Sequence, residues 1–540
     1  MRFKKLIGGF LLTVLLFTSV SSVLASDSEN LKGSRAKNVI IFISDGTSVG
    51  GYTLARWYQG GKPFATDELL CGLVRTYASD SIITDSAPGS TAFSTGFKTH
   101  TGFIATMPDV NSMPGLAPLK KEDIRKPVAT VLEGAKLAGK STGLVATVQF
   151  VHATPADFAA HTPYRNSFDI IAEQMVYNNV DVVLGGGTRY VTNRKDGEDL
   201  VQILKSRGYE YATTRDEMKK LTGDKYYGLF APVDMRYDFD RPANEPSLAE
   251  MTEKAIDTLS QNKKGFFLMV EGSKVDWAAH ENDPVGIVSD ILAFDKAVAK
   301  AVDFAKKNGD TVVIVTSDHG NSGLSIGNRN TNYNYDTTAF ETVIPPLKKA
   351  IRTGEGLEPL MDKDRSNLVE VVANYYGISD LTKEEIEKIK KAKSGKINTA
   401  VGEMMAKRSN IGFTTYGHTG EDVILGIYAP DGVRPTGVIE NTDVAKYMAN
   451  TLRIDMDKLN KKLFVVAIPA LEKKGATVVY DTKTDPNNPI LIATKGKNEY
   501  RFPMNKSIAF VNGREVQLSG VSLHNTIEPY ITQDAVNLVR

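Results

Sequence analysis

The sequence predicts an α/β fold: a mostly parallel central sheet with helices on both faces, a helical or irregular insertion, and a small β-rich C-terminal module. Three observations carry this. Short apolar runs recur without polar alternation, a stretch of helical period lies between two of them, and the last segment changes to hairpin-like patterning. A strand covered on both faces has no wet side, so its residues need not alternate. Strands joined by helices pair in parallel, because the crossover returns the chain to the same edge.

Val39-Ile40-Ile41-Phe42-Ile43 is the first such run. Leu144–Ala146, Val182–Leu184, Phe266–Val270, Val312–Val315 and Ile424–Tyr428 repeat it. Between two of them Ile287, Ile291, Phe294, Val298, Val302 and Ala305 recur every three or four residues, a buried helical stripe that Asn308-Gly309 ends. Residues of about 327–413 break the rhythm with polar, helix-forming stretches and read as an insertion over one end of the sheet. Within it, Thr382 followed by Glu385 forms a capping-box pattern that opens a surface helix. From about 462 to 540 the chain turns to short strands, with Asn512-Gly513 marking a hairpin. The main α/β domain is thus expected over about 36–455.

The 540 residues include 65 Lys+Arg, 64 Asp+Glu and 41% hydrophobic residues, an ordinary globular composition with a formal charge of +1. That charge gives no electrostatic reason to expect a nucleic-acid partner. Arg2, Lys4 and Lys5 precede the apolar run Leu6–Phe17, and Val23-Leu24-Ala25 offers a small-residue cleavage site. Residues 1–25 therefore read as an export signal, and its removal changes the formal charge from +1 to −2. Secretion, the periplasm or the cell surface is the expected destination. No later run approaches the roughly 18 apolar residues of a membrane span. The single Cys71 cannot close an internal disulfide.

The chemistry concentrates where strands end. Asp45 follows the first strand, Glu271 follows another, and Asp318-His319 follows a third. Ligands of open α/β sheets bind at the carboxyl ends of strands. One acid after a strand is usually a cap or turn residue, but three strand ends carrying carboxylate or imidazole are hard to assign to caps. Asp276 and His280 are four apart and share a face if helical, so both could grip one ion. Only seven His exist, and His280, His319 and His418 all fall in these segments. Mixed Asp/His ligation suits zinc, whereas carboxylate and hydroxyl oxygens suit magnesium. Ser86, in Asp85-Ser86-Ala87-Pro88, reads as the start of a helix, where unpaired N–H groups favour an anion. The competing reading of Ser86 is a simple helix cap.

Asp-Ser-Ala-x-x-x-Thr-Ala from Asp85, the strand-end Asp45, Glu271-x₄-Asp276-x₃-His280, Asp318-His319 and Gly417-His418-Thr419-Gly420 together resemble the alkaline phosphatase family, in order and spacing, from about residue 36 to 450. The resemblance implies that small phosphate monoesters are the substrates and that Ser86 is the residue phosphorylated. It implies one zinc on Asp276, His280 and His418, and a second on Asp45, Asp318 and His319 with Ser86. A third, magnesium-type site would use Asp45, Thr154 and Glu271. His152 stands where some members have Asp and others His, so the identity of that third ion is open. Arg165, 13 residues beyond His152, matches the arginine that clamps phosphate. Trp277 occupies a position where other members carry Lys or His, so altered affinity for product phosphate is expected. The resemblance also allows a homodimer, with the insertion at its face.

Other signals lose to their context. Gly134–Ser141 fits the P-loop pattern, but that loop must follow a strand and open a helix, and here the order is reversed. Position 90 is Ser where the sulfatase signature has Arg. A diesterase or mutase of the same superfamily and a non-catalytic secreted binding protein are the alternative functions. The export signal opposes a cytoplasmic mutase, and no candidate nucleophile, ligand or clamp position is lost. For the C-terminal module, cell-surface attachment and plain packing have equal weight.

Overall fold

The computed structural model describes residues 31–540 apart from Asn193. The export signal read over 1–25 lies outside the described residues. The centre is a ten-stranded sheet. In chain order its strands are β1 (Asn38–Ser44), β2 (Leu70–Arg75), β3 (Ser141–Gln149), β4 (Val182–Gly186), β5 (Glu210–Ala212), β6 (Tyr226–Leu229), β7 (Phe266–Gly272), β8 (Thr311–Thr316), β9 (Val423–Tyr428) and β10 (Gly437–Glu440). They lie side by side as β10-β2-β9-β8-β1-β7-β3-β4-β6-β5. All run parallel except β9, which pairs antiparallel with both β8 and β2.

Strand β1 shows why the apolar runs lack alternation. Val39, Ile41 and Ile43 pack into one core, while Ile40 and Phe42 pack into another on the opposite face. Every one of these side chains is fully buried, and each contributes roughly 1.5–3 kcal/mol by leaving water. Three helices carry or support the candidate residues: α1 (Ser86–Thr95), α2 (Lys274–His280) and α3 (Pro284–Asn308). Phe294, Val298, Val302 and Ala305 of α3 fill the second core. The helix ends at Gly309, whose φ of 70° is the left-handed conformation that glycine adopts without penalty.

Residues 327–413 fold into short helical turns and two longer helices, Lys383–Lys391 and Ile397–Arg408. The first opens with the Thr382/Glu385 capping box. Their apolar faces pack with Ala278, Ala279 and Ile287, so this segment sits beside the α2 end of the sheet. The P-loop-like stretch is what its context required: a helix, Val131–Leu137, then Gly139 at φ 77°, then β3.

After Leu463 the chain forms a five-stranded antiparallel meander, Thr477–Asp481 through Arg514–Gln517, and a small three-stranded sheet. Asn512-Gly513 joins the last two meander strands with both φ values positive, 51° and 82°. Leu491, Tyr500 and Phe502 make a local core. Ile508, Val521, Leu523 and Tyr530, however, belong to the same core as β1. Ser507 Oγ donates to the Tyr177 carbonyl at 2.5 Å, and Lys506 pairs with Glu173 at 3.3 Å and with Glu198. Deleting residues 465–540 is therefore expected to destabilise the α/β unit, lowering its melting temperature by about 5 °C or more. A truncated protein that melts with the intact one would show that this contact surface adds nothing.

Candidate active site

Strands β8, β1, β7 and β3 are neighbours, and Ile43 stands level with Thr316 on one side and Glu271 on the other. Their carboxyl ends therefore deliver Asp45, Glu271, Asp318, His319 and the residues after β3 to one edge. His418 precedes its strand, yet it reaches the same place because β9 runs backwards. The start of an antiparallel strand lies where its neighbours end. A two-residue antiparallel ladder pairs His418 with Asn321 and Thr419 with Gly320, holding the two loops together.

Asp276 and His280 lie four apart on α2, in keeping with their spacing, with His280 Nε2 3.4 Å from Asp276 Oδ2. His418 Nε2 is 3.0 Å from His280 Nε2 and 3.6 Å from Asp276 Oδ1. A second cluster joins His319 Nε2 to Asp45 Oδ1 at 3.5 Å and to Asp318 Oδ2 at 3.4 Å. A third brings Asp45, His152 and Glu271 donor atoms within 4.8 Å of one another, with the buried Thr154 hydroxyl on the short helix Ala153–Ala156. Gly46, at φ 61°, lets β1 and α2 approach: a Cβ there would stand 2.3 Å from Asp276 Oδ1.

The hydrogen bonds fix the tautomers of the three clustered histidines. His280 Nδ1 contacts the Tyr416 carbonyl at 2.6 Å, His418 Nδ1 that of Thr84 at 2.8 Å, and His319 Nδ1 that of Gly320 at 3.2 Å. A carbonyl only accepts, so each Nδ1 carries the proton and each Nε2 presents a bare lone pair. Two such lone pairs face each other at 3.0 Å, which repels unless a cation lies against both. The carboxylates have the same need. Both oxygens of Asp45, both of Glu271, Asp318 Oδ2 and Thr154 Oγ1 are buried without a hydrogen-bond partner. Burial, then the neighbouring carboxylates Asp318, Asp276 and Glu271, hold Asp45 well above the usual carboxylate range, and burial pushes Glu271 up to about 8. The residues therefore fit divalent cations: nitrogen with oxygen in the first two clusters, chiefly oxygen in the third.

Ser86 is the first residue of α1, and its Oγ donates to His319 Nε2 at 3.4 Å. The cap position belongs to Asp85, whose side chain makes no cap hydrogen bond. The ten-residue helix thus begins at the site, and a helix N-terminus is a setting that favours an anion. Arg165 arrives from the loop after β3. Its Nη1 pairs with Asp85 and its Nη2 donates to His152 Nε2 at 3.1 Å. Burial alone would raise the Asp85 pKa, but the Arg165 guanidinium outweighs it and holds the carboxylate at about 2. Burial, then Arg165, drives His152 down to about 3, so its imidazole is neutral.

Two functional neighbours escape sequence reasoning. In the sequence Asp85 is only the motif letter before the serine, with nothing to show that it meets an arginine 80 residues away. Asn321 Nδ2 donates to Asp276 Oδ1 at 2.7 Å and orients that carboxylate; its place after His319 is its only signal. His161 has a structural role, buried between the Ala105 carbonyl and Glu133, both at 3.1 Å.

Comparison with protein families matches residues 36–454 to the family described as alkaline phosphatase. Alkaline phosphatase 3 of Bacillus subtilis is 37% identical over 484 residues, covering 85% of this chain and 99% of that protein. Among solved structures, the alkaline phosphatase of Thermus thermophilus aligns with a TM-score of 0.70 at 29% identity, over 80% of this chain and 94% of its own. The cold-active enzyme of Shewanella sp. aligns with a TM-score of 0.67 at 30% identity, over 77% and 99%. A histidine-to-glutamate variant of the alkaline phosphatase from the Antarctic bacterium TAB5, solved with Mg bound in its M3 site, aligns at 0.56 and 27% identity, over 79% and 100%. The chain belongs to the alkaline phosphatase family, a family of phosphomonoesterases.

Proposed function

We propose that the protein hydrolyses phosphate monoesters through a phosphoserine at Ser86, with two zinc ions and a third, magnesium-type ion. The observation that carries the proposal is the placing of Ser86 Oγ, at a helix N-terminus, 3.4 Å from a histidine whose lone pair faces into a buried carboxylate cluster. Asp276, His280 and His418 would hold one zinc, and Asp45, Asp318 and His319 the other. Asp45, Glu271 and Thr154 would hold the third ion, with His152 beside them. When bound, paired zinc ions supply Lewis-acid stabilisation of the entering and leaving oxygens and favour the serine alkoxide. The TAB5 enzyme holds Mg in its M3 site when a histidine is replaced by glutamate or aspartate, which supports a third-ion position beside a residue of the His152 kind.

The chain's own groups do the rest. The first-turn N–H groups of α1 and the Arg165 fork neutralise the equatorial phosphoryl oxygens. Asp85 orients that fork before substrate arrives, so little side-chain entropy is lost on binding. Ser86 Oγ then attacks phosphorus as the alcohol departs, and water later cleaves the phosphoserine. The basic, apolar start of the sequence supports export of the mature enzyme, and the described residues contain no helix long and apolar enough to cross a membrane.

The test is direct. Protein incubated with p-nitrophenyl phosphate, acid-quenched and digested should carry one phosphate on the peptide containing Ser86. Turnover with the phosphate on another residue, or on none in any quench, would overturn the serine mechanism.

A further inference from the structure

Resting on that reading of the reaction, we infer that the cleft outside the Asp276–His280–His418 cluster is a leaving-group subsite for neutral, polyhydroxylated alcohols of the sugar type. The attacking oxygen belongs to Ser86, which touches His319. An in-line displacement puts the departing oxygen on the opposite side of phosphorus. The opposite side is that of His280, whose ring is partly exposed and lines an open cleft of about 740 Å³ together with Trp277, Tyr237, Glu355, Glu358 and Lys396. The alcohol therefore leaves into this cleft, and its volume lies in the range of sites that enclose an organic ligand.

The chemistry of the walls selects the alcohol. Three carboxylates, Glu281, Glu355 and Glu358, face the cleft, but each is already neutralised or bonded. Glu355 accepts from Lys274 Nζ at 3.2 Å and Arg236 Nη1 at 3.1 Å. Glu281 accepts from Lys396 Nζ at 2.6 Å, and Glu358 accepts from the Gly395 N–H at 2.7 Å and pairs with Arg365 Nη2 at 3.8 Å. A carboxylate offers about four lone-pair sites, so each keeps acceptor capacity for a hydroxyl without an unpaired charge. Arg236, Lys396 and Asn398 supply donors among them. Alternating acceptors and donors beside an aromatic ring match a ring of hydroxyls.

A cationic alcohol would want the Trp277 face and a free carboxylate. Both are taken: the buried Lys274 ammonium lies 4.5 Å from the Trp277 ring centroid and 4.2 Å from that of Tyr237. The same lysine ties Glu355, on the helix Gly354–Leu357, to the first residue of α2. Glu355 and Glu358 are thus specificity-determining residues contributed by the 327–413 segment, remote from phosphorus.

The experiment compares kcat/KM for a hexose 6-phosphate, methyl phosphate and phosphocholine, all esters of primary alcohols, in the unmodified zinc- and magnesium-loaded enzyme and in Glu355→Gln and Glu358→Gln. The ratio kcat/KM spans only the steps up to departure of the alcohol, so it reads these contacts even where release of phosphate limits kcat. The hexose phosphate is expected to exceed methyl phosphate by about tenfold, and each variant to lose about tenfold on the hexose ester alone. Glu358→Gln leaves the Lys274 pair intact, so it reads the subsite even if Glu355→Gln fails to fold. Equal losses on hexose and methyl esters, no loss on either, or a preference for phosphocholine would overturn the proposal. Hydrolysis of none of the three by the unmodified enzyme would overturn the reaction itself, and the subsite with it.

Discussion

Ser86→Ala is expected to lower kcat on p-nitrophenyl phosphate by on the order of 10³-fold or more while leaving the melting temperature within about 2 °C. The two halves of that expectation come from different features. Activity should collapse because Ser86 supplies the only hydroxyl that donates to His319 Nε2 in the described structure, and no other residue of α1 can replace it at the helix start. Stability should survive because the side chain caps nothing. Asp85 holds the cap position, and alanine is well tolerated at the first helical residue. A serine acting as a cap would give the reverse pattern: about 1 kcal/mol of stability lost and activity nearly intact. Steady-state kinetics with a thermal melt therefore separates the two roles in one preparation, and an active, destabilised variant would refute the nucleophile assignment. The proposed metal-ligand side chains remain in the variant, so a loss cannot be attributed to an emptied site if its metal content matches that of the parent.

How legible this site is in the sequence depends on which link of the chain of causes a residue occupies. Asp45, Glu271, Asp318 and His319 are legible because each follows an apolar run, and strand ends share an edge whatever the strand order. Asp276 and His280 are legible as a pair because four residues make one helical turn. His418 is legible only as a segment. Ile424–Tyr428 has the composition of the parallel strands, and nothing in it announces the antiparallel direction that brings His418 to the edge. The strand Leu70–Arg75 escapes because Leu70 and Leu73 are exposed and its neighbour on the open side is only the short β10. Arg165 can be placed by resemblance, yet its grip on Asp85 depends on a tertiary approach that periodicity does not encode. The same holds for Glu355 against Lys274, where an insertion reaches back to α2. Local pattern reveals which residues reach an edge; long-range packing decides which of them touch.

Stripping the metals should abolish activity and also reverse the sign of the pH dependence of stability. In the metal-free protein Glu271 has its pKa raised from 4.5 to about 8, by burial first and then by Asp318, and Asp45 is raised well above its ordinary 3.8 for similar reasons. Between the unfolded and folded values the native state binds more protons than the unfolded chain. Stability therefore falls as pH rises, fully present below about 4.5 and lost through about 8 for Glu271. One proton corresponds to about 1.4 kcal/mol per pH unit in that window, so the unfolding midpoint should drop by about 5 °C or more from pH 5 to pH 8. The loaded protein has the opposite bias, since cations bind the deprotonated ligands and compete better as pH rises. Calorimetry of chelated and zinc- and magnesium-reconstituted samples at matched ionic strength measures both slopes. A metal-free midpoint that stays level or climbs over this range would mean that other partners neutralise Asp45 and Glu271. The orphaned oxygens would then no longer point to cation sites, even for an enzyme that chelation still inactivates.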